Sequence, residues 1–230
     1  FNTSIWTIVS FILVIFLILI PLASFLSYSF FTVDGVEINH EFSLANYKEF
    51  FVDEIYINTF VRTIYLALIV MFSCILLGYP VAYFLARYAG RYKYAILLML
   101  IIPLFMSYII KIYMMRSILG YSGIINKTLK MFGFIEKPLE FFLWNQNSVI
   151  ITLVIILLPL IIIPTFTSLD KIPSNIIEAS FDLGCKPFQA FKYVIFPIGF
   201  PGLVVGGIFV FILALGDFVT PQLVGGTSGF

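Results

Sequence analysis

Few side chains in this 230-residue chain stand where they could do chemistry, and Asp217 is the clearest of them. It follows a long apolar run and is the only acidic residue between Asp182 and the chain end. An ionised carboxylate near lipid depth needs a partner. Two partners are open to it. One is the backbone of the turn before Thr220-Pro221, which it would cap; the other is a cation from outside the chain. Aromatic faces also attract cations, and Tyr108, Tyr113 and Tyr121 are the tyrosines to consider. With 13 Tyr and 27 Phe present, most aromatic rings must instead be packing groups or interfacial anchors.

Covalent chemistry finds no support. His40 is the only histidine, which leaves no partner for a His-based zinc site or a triad. Cys74 lies in an apolar segment and Cys185 in a polar one, a pattern of neither a disulfide framework nor a metal site. No G-x-x-x-x-G-K-[ST], H-E-x-x-H or G-x-S-x-G sequence occurs. The expectation is a chain with no catalytic residues and no metal of its own.

The elements that position these groups follow from composition. The chain is 61% hydrophobic and only 11% charged, about half the charge of a soluble domain, so it is read as an integral membrane protein. With a net charge of +1 and no basic run, nucleic acid is excluded as a partner. Apolar stretches long enough to cross a bilayer are expected at about residues 5–30, 57–85, 94–110, 148–166 and 198–215, the third interrupted by Pro103. The first is too long for a signal peptide and no cleavage pattern closes it. Arg62 lies near enough to an interface to snorkel. Residues 111–147 mix Phe, Ile and Lys and suit helices lying at an interface. Gly202 and Gly206 make a small-xxx-small pair that would let two helix backbones approach closely.

The most informative polar stretch is DKIPSNIIEASFDLGCKPFQAFKYVIFP, Asp170 to Pro197. It reads as two short helices with a bend. Asp170 or Ser174 is placed to cap the first, Pro173 suits its first turn and Gly184 its end. Pro187 opens the second, which is expected to end at Pro197. Ile172, Ile176, Ala179 and Leu183 share one face, and Lys171, Asn175, Glu178 and Asp182 another. By itself this is an amphipathic connector that must pack against a surface, lipid included.

Its residue order is more specific. Glu178-Ala179-Ser180, three residues, Gly184, nine residues, Val194, one residue, then Phe196-Pro197 resembles the EAA loop of ABC-importer permeases. Ser180, Val194 and Phe196 depart from the family's Ala, Ile and Leu but keep the small or apolar character. GYPVAYFLAR, Gly78 to Arg87, looks like the matching place in polyamine-type permeases. ALGDFVTPQLVGG, Ala214 to Gly226, is similar to a stretch in the first of the two permease subunits of spermidine/putrescine importers.

The resemblance implies an all-α polytopic membrane protein, a MetI-like bundle forming a single permease domain over residues 1–230. Five spans would lie in this chain and a sixth beyond Phe230, both ends looking truncated. It implies that the loop, with Glu178, Ala179, Ser180, Asp182 and Gly184, docks into a cytoplasmic ATPase. The partners it implies are a second related permease subunit in a heterodimer, an ATPase dimer that alone binds ATP and Mg, an extracytoplasmic substrate-binding protein, and the bilayer of the bacterial inner membrane. Asp217 would then be a counter-charge for a protonated amine of the cargo, with the three tyrosines beside the pathway. Basic residues do not decide the orientation, six falling on each side. The resemblance puts the Arg87–Lys93 turn and Cys185 inside and the acidic connection from Asp34 to Glu54 outside. The alternatives are a permease for another small solute, or a passive channel, which would have no need of a docking loop.

Overall fold

The computed structural model describes residues 3–34, 37–142 and 144–226. The ends of the chain, whose truncation was expected above, lie outside the described residues, as do the side chains of 3–6, 8, 34, 37 and 140. The chain falls into two units, Phe1–Val61 and Arg62–Phe230.

In the first unit, α1 (Thr3–Tyr28) is apolar along its length, and no side chain from Val9 to Leu26 is buried. A helix that is hydrophobic all round belongs in lipid. Beyond it come a two-stranded antiparallel hairpin, β1 (Thr32–Asp34) and β2 (Glu37–Asn39), with Val33 opposite Ile38, and then α2 (Ala45–Val52). Asn46 holds this connection by donating to the carbonyls of Ser29 at 3.0 Å and Phe31 at 2.8 Å. His40 is a packing residue, its ring edge-on to Phe31 at 5.0 Å.

The second unit is built around α7 (Gln146–Asp170), whose Val149, Leu153, Ile161, Ile162 and Leu169 are fully buried. Three prolines, Pro159, Pro164 and Pro201, lie inside α7 and α10 without ending either helix, as neighbouring helices allow in membranes. The long helix α3 (Glu54–Arg87) enters this unit at Arg62 and turns Ala67, Val70, Cys74 and Ala82 into the core. The Cys74 thiol donates to the Val154 carbonyl at 3.6 Å. α10 (Phe196–Leu215) lies along α7. A β-carbon at Gly206 would stand 2.9 Å from the Ile161 backbone, and one at Gly202 would collide with the Pro164 carbonyl and the Ser168 side chain. The small-residue pair therefore sets how close these two helices come.

The apolar run over 94–110 does not continue as one rod. α4 (Lys93–Ile101) ends in a tighter turn, Ile102–Phe105, containing Pro103. The chain then extends through Met106 and Ser107 before α5 (Tyr108–Leu119) and α6 (Ile124–Met131). The two arms meet at 100°. Proline removes a backbone donor from that turn, and the chain leaves the helix three residues later, at Met106 with ψ 148°. Among the described residues four helices are long and apolar enough to cross a membrane, or five if this bent pair counts as one span.

After α7 come α8 (Ser174–Asp182) and the single turn α9 (Pro187–Ala190). The second helix of the hairpin does not end at Pro197 as expected. It passes through a wide turn, Phe191–Ile195, in which the Phe196 amide reaches back five residues to Phe191, and runs on as α10. A wide π-type turn absorbs the irregularity without ending the helix.

Candidate functional site

The hairpin after α7 is anchored at its base and open at its tip. Asp170 does not cap α8; its carboxylate is taken by Lys93 at 2.7 Å and by the Tyr94 hydroxyl at 3.2 Å. Nor does Ser174 supply the cap, since Pro173 holds that position with no side-chain bond. Arg87, the last residue of α3, donates to the carbonyls of Leu169 at 3.0 Å and Ile172 at 3.2 Å. The Leu169 carbonyl, in the last turn of α7, also accepts from the Ile172 amide at 3.3 Å, so Arg87 adds a side-chain bond to a carbonyl the backbone already uses. The basic turn from Arg87 to Lys93 thus sits at the foot of the hairpin. In sequence Arg87 and Lys93 were only a local charge cluster, and nothing in their spacing named Leu169, Asp170 or Ile172.

At the far end of α8 the Gly184 amide donates to Phe181 at 2.8 Å and the Cys185 amide to Ser180 at 3.0 Å. This reciprocal pair needs a left-handed residue between them, and Gly184 has φ +84°. Of the five residues assigned to coupling, Glu178, Ala179, Asp182 and Gly184 are exposed. Ser180 is buried at 6% exposure and donates to the Ile177 carbonyl at 2.6 Å. The expected apolar face is not the packed one. Ile172 is buried, but Ile176, Ala179 and Leu183 are exposed, Leu183 by 86%. The chain instead turns Ile177 and Ser180 inward. An exposed apolar stripe on an amphipathic helix is a surface for packing against something outside the chain.

A second site lies about 15–20 Å back along α7, by its rise per residue. Asp217 follows α10 and its Oδ1 accepts from the amides of Val219 at 3.1 Å and Thr220 at 3.4 Å. The turn-capping role is therefore real, and it occupies one oxygen. Asp217 Oδ2 is buried without a hydrogen-bond partner. Asp217 lines a cavity of about 390 Å³ together with Tyr108 and Lys111 of α5, under walls of Ile156, Leu157 and Leu213. The Tyr108 hydroxyl is 3.0 Å from Thr220 Oγ1, and Lys111 Nζ lies 5.5 Å from the Tyr108 ring centroid. Buried Thr220 fixes Tyr108 against the turn that Asp217 caps.

The structure brings together Asp217 and Tyr108 but not the other two tyrosines. Tyr113, five positions beyond Tyr108 and so on another side of α5, is half exposed. Tyr121 lines a different cavity of about 230 Å³ with Arg116 and Trp144, the Arg116 guanidinium lying 4.8 Å over the Trp144 ring. Sequence reasoning missed Lys111 and Thr220. The one signal for Lys111 was its place three residues after Tyr108, one helical turn along the same face.

An apolar helical bundle with four to five candidate membrane spans is the architecture of an all-α polytopic membrane protein. Known proteins place it more closely. The chain is 35% identical over 228 residues to the spermidine/putrescine transport system permease protein PotB of Salmonella typhimurium (strain SL1344), an alignment covering 99% of this chain and 78% of that protein. It is 34% identical over 217 residues to PotB of Escherichia coli (strain K12), covering 94% and 78%. It is also 34% identical over 210 residues to the inner membrane ABC transporter permease protein YdcU of that strain, covering 85% and 66%. No family model matches the chain. The chain belongs to the family of the spermidine/putrescine transport system permease proteins.

Proposed function

We propose that this chain is a permease subunit of an ATP-driven importer in the bacterial inner membrane, forming part of the pathway for a polyamine. A permease subunit of such an importer works with a partner permease and an ATPase. The finer assignment is that the partner permease is related but distinct, that two ATPase subunits bind ATP and Mg, and that an extracytoplasmic binding protein delivers the cargo. The observation that carries the reading is the hairpin, braced at its base by Arg87 and Lys93 while Ile176 and Leu183 stand exposed. That exposed stripe suits a cleft in the ATPase, and the brace ties any push on α8 to α3, α4 and α7. Alternating access then requires that these contacts differ between the two states of the pathway.

Within the cavity, Asp217 Oδ2 offers a free anionic oxygen and Tyr108 an aromatic face, the two groups that replace the water lost by an ammonium. The cargo named for the relatives, spermidine or putrescine, is a chain of such ammonium groups. The test is uptake of labelled putrescine and spermidine by the reconstituted complex, with and without ATP, against competing solutes. ATP-dependent uptake of both, displaced by each other and not by amino acids or sugars, is expected. Uptake indifferent to ATP would point to a passive channel, and competition by an unrelated solute would reassign the cargo.

A further inference from the structure

An exposed apolar patch on α6 stands at the end of α7 remote from the hairpin. α7 begins at Gln146 behind its cap Asn145, and Trp144 lines a cavity with Gly120 and Tyr121. The turn into α6 is therefore level with the start of a helix long and apolar enough to cross a membrane. The placement of α6 is fixed at both ends. Asn126, 3% exposed, donates to the Gly120 carbonyl at 3.1 Å and accepts from the Leu139 amide at 3.0 Å. A β-carbon at Gly123 would collide with the Ile118 and Gly120 carbonyls. Beyond α6 the Phe134 amide donates back to the Leu129 carbonyl at 3.0 Å, with Gly133 at φ +74° between them. The rings of Phe132 and Phe134 are held 6.4 Å apart.

Within this frame Ile125, Asn126 and Leu129 are turned inward, while Ile124, Lys127, Thr128 and Met131 share the outer face at helical spacing. Ile124, Met131, Phe132 and Phe134 are exposed by between 64% and 85%. Lys127, Lys130 and Lys137 are exposed around them, with Glu136 the one exposed carboxylate described between Ile124 and Leu139. No ion pair engages these lysines among the described residues. The exposed stripe of α8 differs in sign, since Glu178 and Asp182 accompany it. Apolar side chains beside lysines, at the level where a span begins, suit a bilayer interface: the stems lie along the apolar surface and the ammonium groups reach phosphate. We propose that residues 124–137 lie on the bilayer, with Ile124, Met131, Phe132 and Phe134 at the acyl boundary and Lys127, Lys130 and Lys137 on the phosphates of anionic phospholipid. Through Asn126 the bilayer then holds the end of α5, whose first residue is the Tyr108 of the cavity.

The test uses the assembled complex in vesicles of phosphatidylcholine, with and without phosphatidylglycerol. Phe132→Cys, in a background of Cys74→Ser and Cys185→Ser, carries a bimane fluorophore whose quenching by spin-labelled lipid and by iodide is measured. Leu183→Cys, at an equally exposed apolar position of the hairpin, is the reference. Lipid quenching several-fold stronger at position 132 than at 183, with iodide shielded, is expected, and it should be stronger with phosphatidylglycerol than without. Each lysine at an anionic surface favours contact by about fivefold. Joint Lys127→Gln, Lys130→Gln and Lys137→Gln should therefore erase the effect of phosphatidylglycerol while the phenylalanine stays in contact with lipid. Iodide quenching without lipid quenching would put the patch in water and overturn the proposal. Shielding from both quenchers would assign the face to a protein, a second copy or another subunit, and overturn it equally. The same lipid quenching in both vesicles, or a difference that survives the triple variant, would overturn the assignment of the lysines. Phe134→Cys, on the same patch, is expected to repeat the result at position 132, and disagreement between the two would overturn the seating of the patch as one surface.

Discussion

The hairpin and the cavity are opposite kinds of incompleteness. In the hairpin, apolar side chains are left unpacked: Leu183, Ile176 and Phe188 are exposed, while at the base Asp170 pairs with Lys93 and Arg87 donates to two carbonyls. In the cavity, a charge is left in an apolar wall: Asp217 Oδ2 lacks a hydrogen-bond partner beside the buried Ile156 and Leu157. On the function proposed above, the first would take an apolar cleft and the second a cation. The two regions are joined by α7, which lines the cavity and ends at the hairpin.

The sharpest way to break this comparison is to cut the join. Gly202→Leu forces a side chain into the Pro164 carbonyl and Ser168, where neither the backbone nor a small residue can yield. Overpacking of that kind costs about 3 kcal/mol, and separation of α10 from α7 should abolish both uptake and assembly. A normal thermal midpoint of the complex would show that the seam is looser than it looks.

Asp217→Asn tests the cavity alone. If the free oxygen meets an ammonium, recognition weakens by about 1.5–3 kcal/mol, the range for hydrogen bonds to charged groups. Uptake at limiting cargo then falls by one to two decades. A residue acting only as a cap for Val219 and Thr220 would lower stability and leave the dependence on cargo concentration unchanged.

Gly184→Leu tests the hairpin alone. A β-carbon there meets open space, so the penalty comes from its φ of +84° and not from crowding. About 1–2 kcal/mol is expected for a left-handed residue with a side chain, confined to the bend between α8 and α9. Membrane insertion should be intact while cargo-stimulated ATP hydrolysis falls several-fold. Normal coupled hydrolysis would detach the bend from function.

The mildest change is Lys93→Met, which releases the partly exposed pair with Asp170 but leaves Arg87 bonded to Leu169 and Ile172. Partly exposed pairs contribute little, so transport per ATP hydrolysed should fall a few-fold at most. No change would assign the brace to Arg87, and collapse of coupling would make Lys93 its main member.

What the sequence alone determined rests on short-range physics. Apolar runs longer than a bilayer is thick, the stop at Gly184, the close-packing Gly202 and Gly206 and the lone carboxylate at Asp217 are all properties of residue type and spacing. So is the resemblance of the loop, which depends on the order of Glu178, Ala179, Ser180 and Gly184. Tertiary structure decided which surfaces meet. The periodicity of α8 grouped Ile172, Ile176, Ala179 and Leu183 as the apolar face, and only its packing against α9 and the Phe191–Ile195 turn brought Ile177 and Ser180 inward and left Leu183 outside. Asp170 had a good cap position, but a cation 77 residues earlier in the chain drew its carboxylate away. The grouping of Tyr108 and Lys111 with Asp217, and the exclusion of Tyr113 and Tyr121, follow from the 100° break after Pro103 and the packing of α5 on the end of α10's chain. Contacts between residues a hundred positions apart depend on helix packing, which residue type and local spacing do not encode one by one.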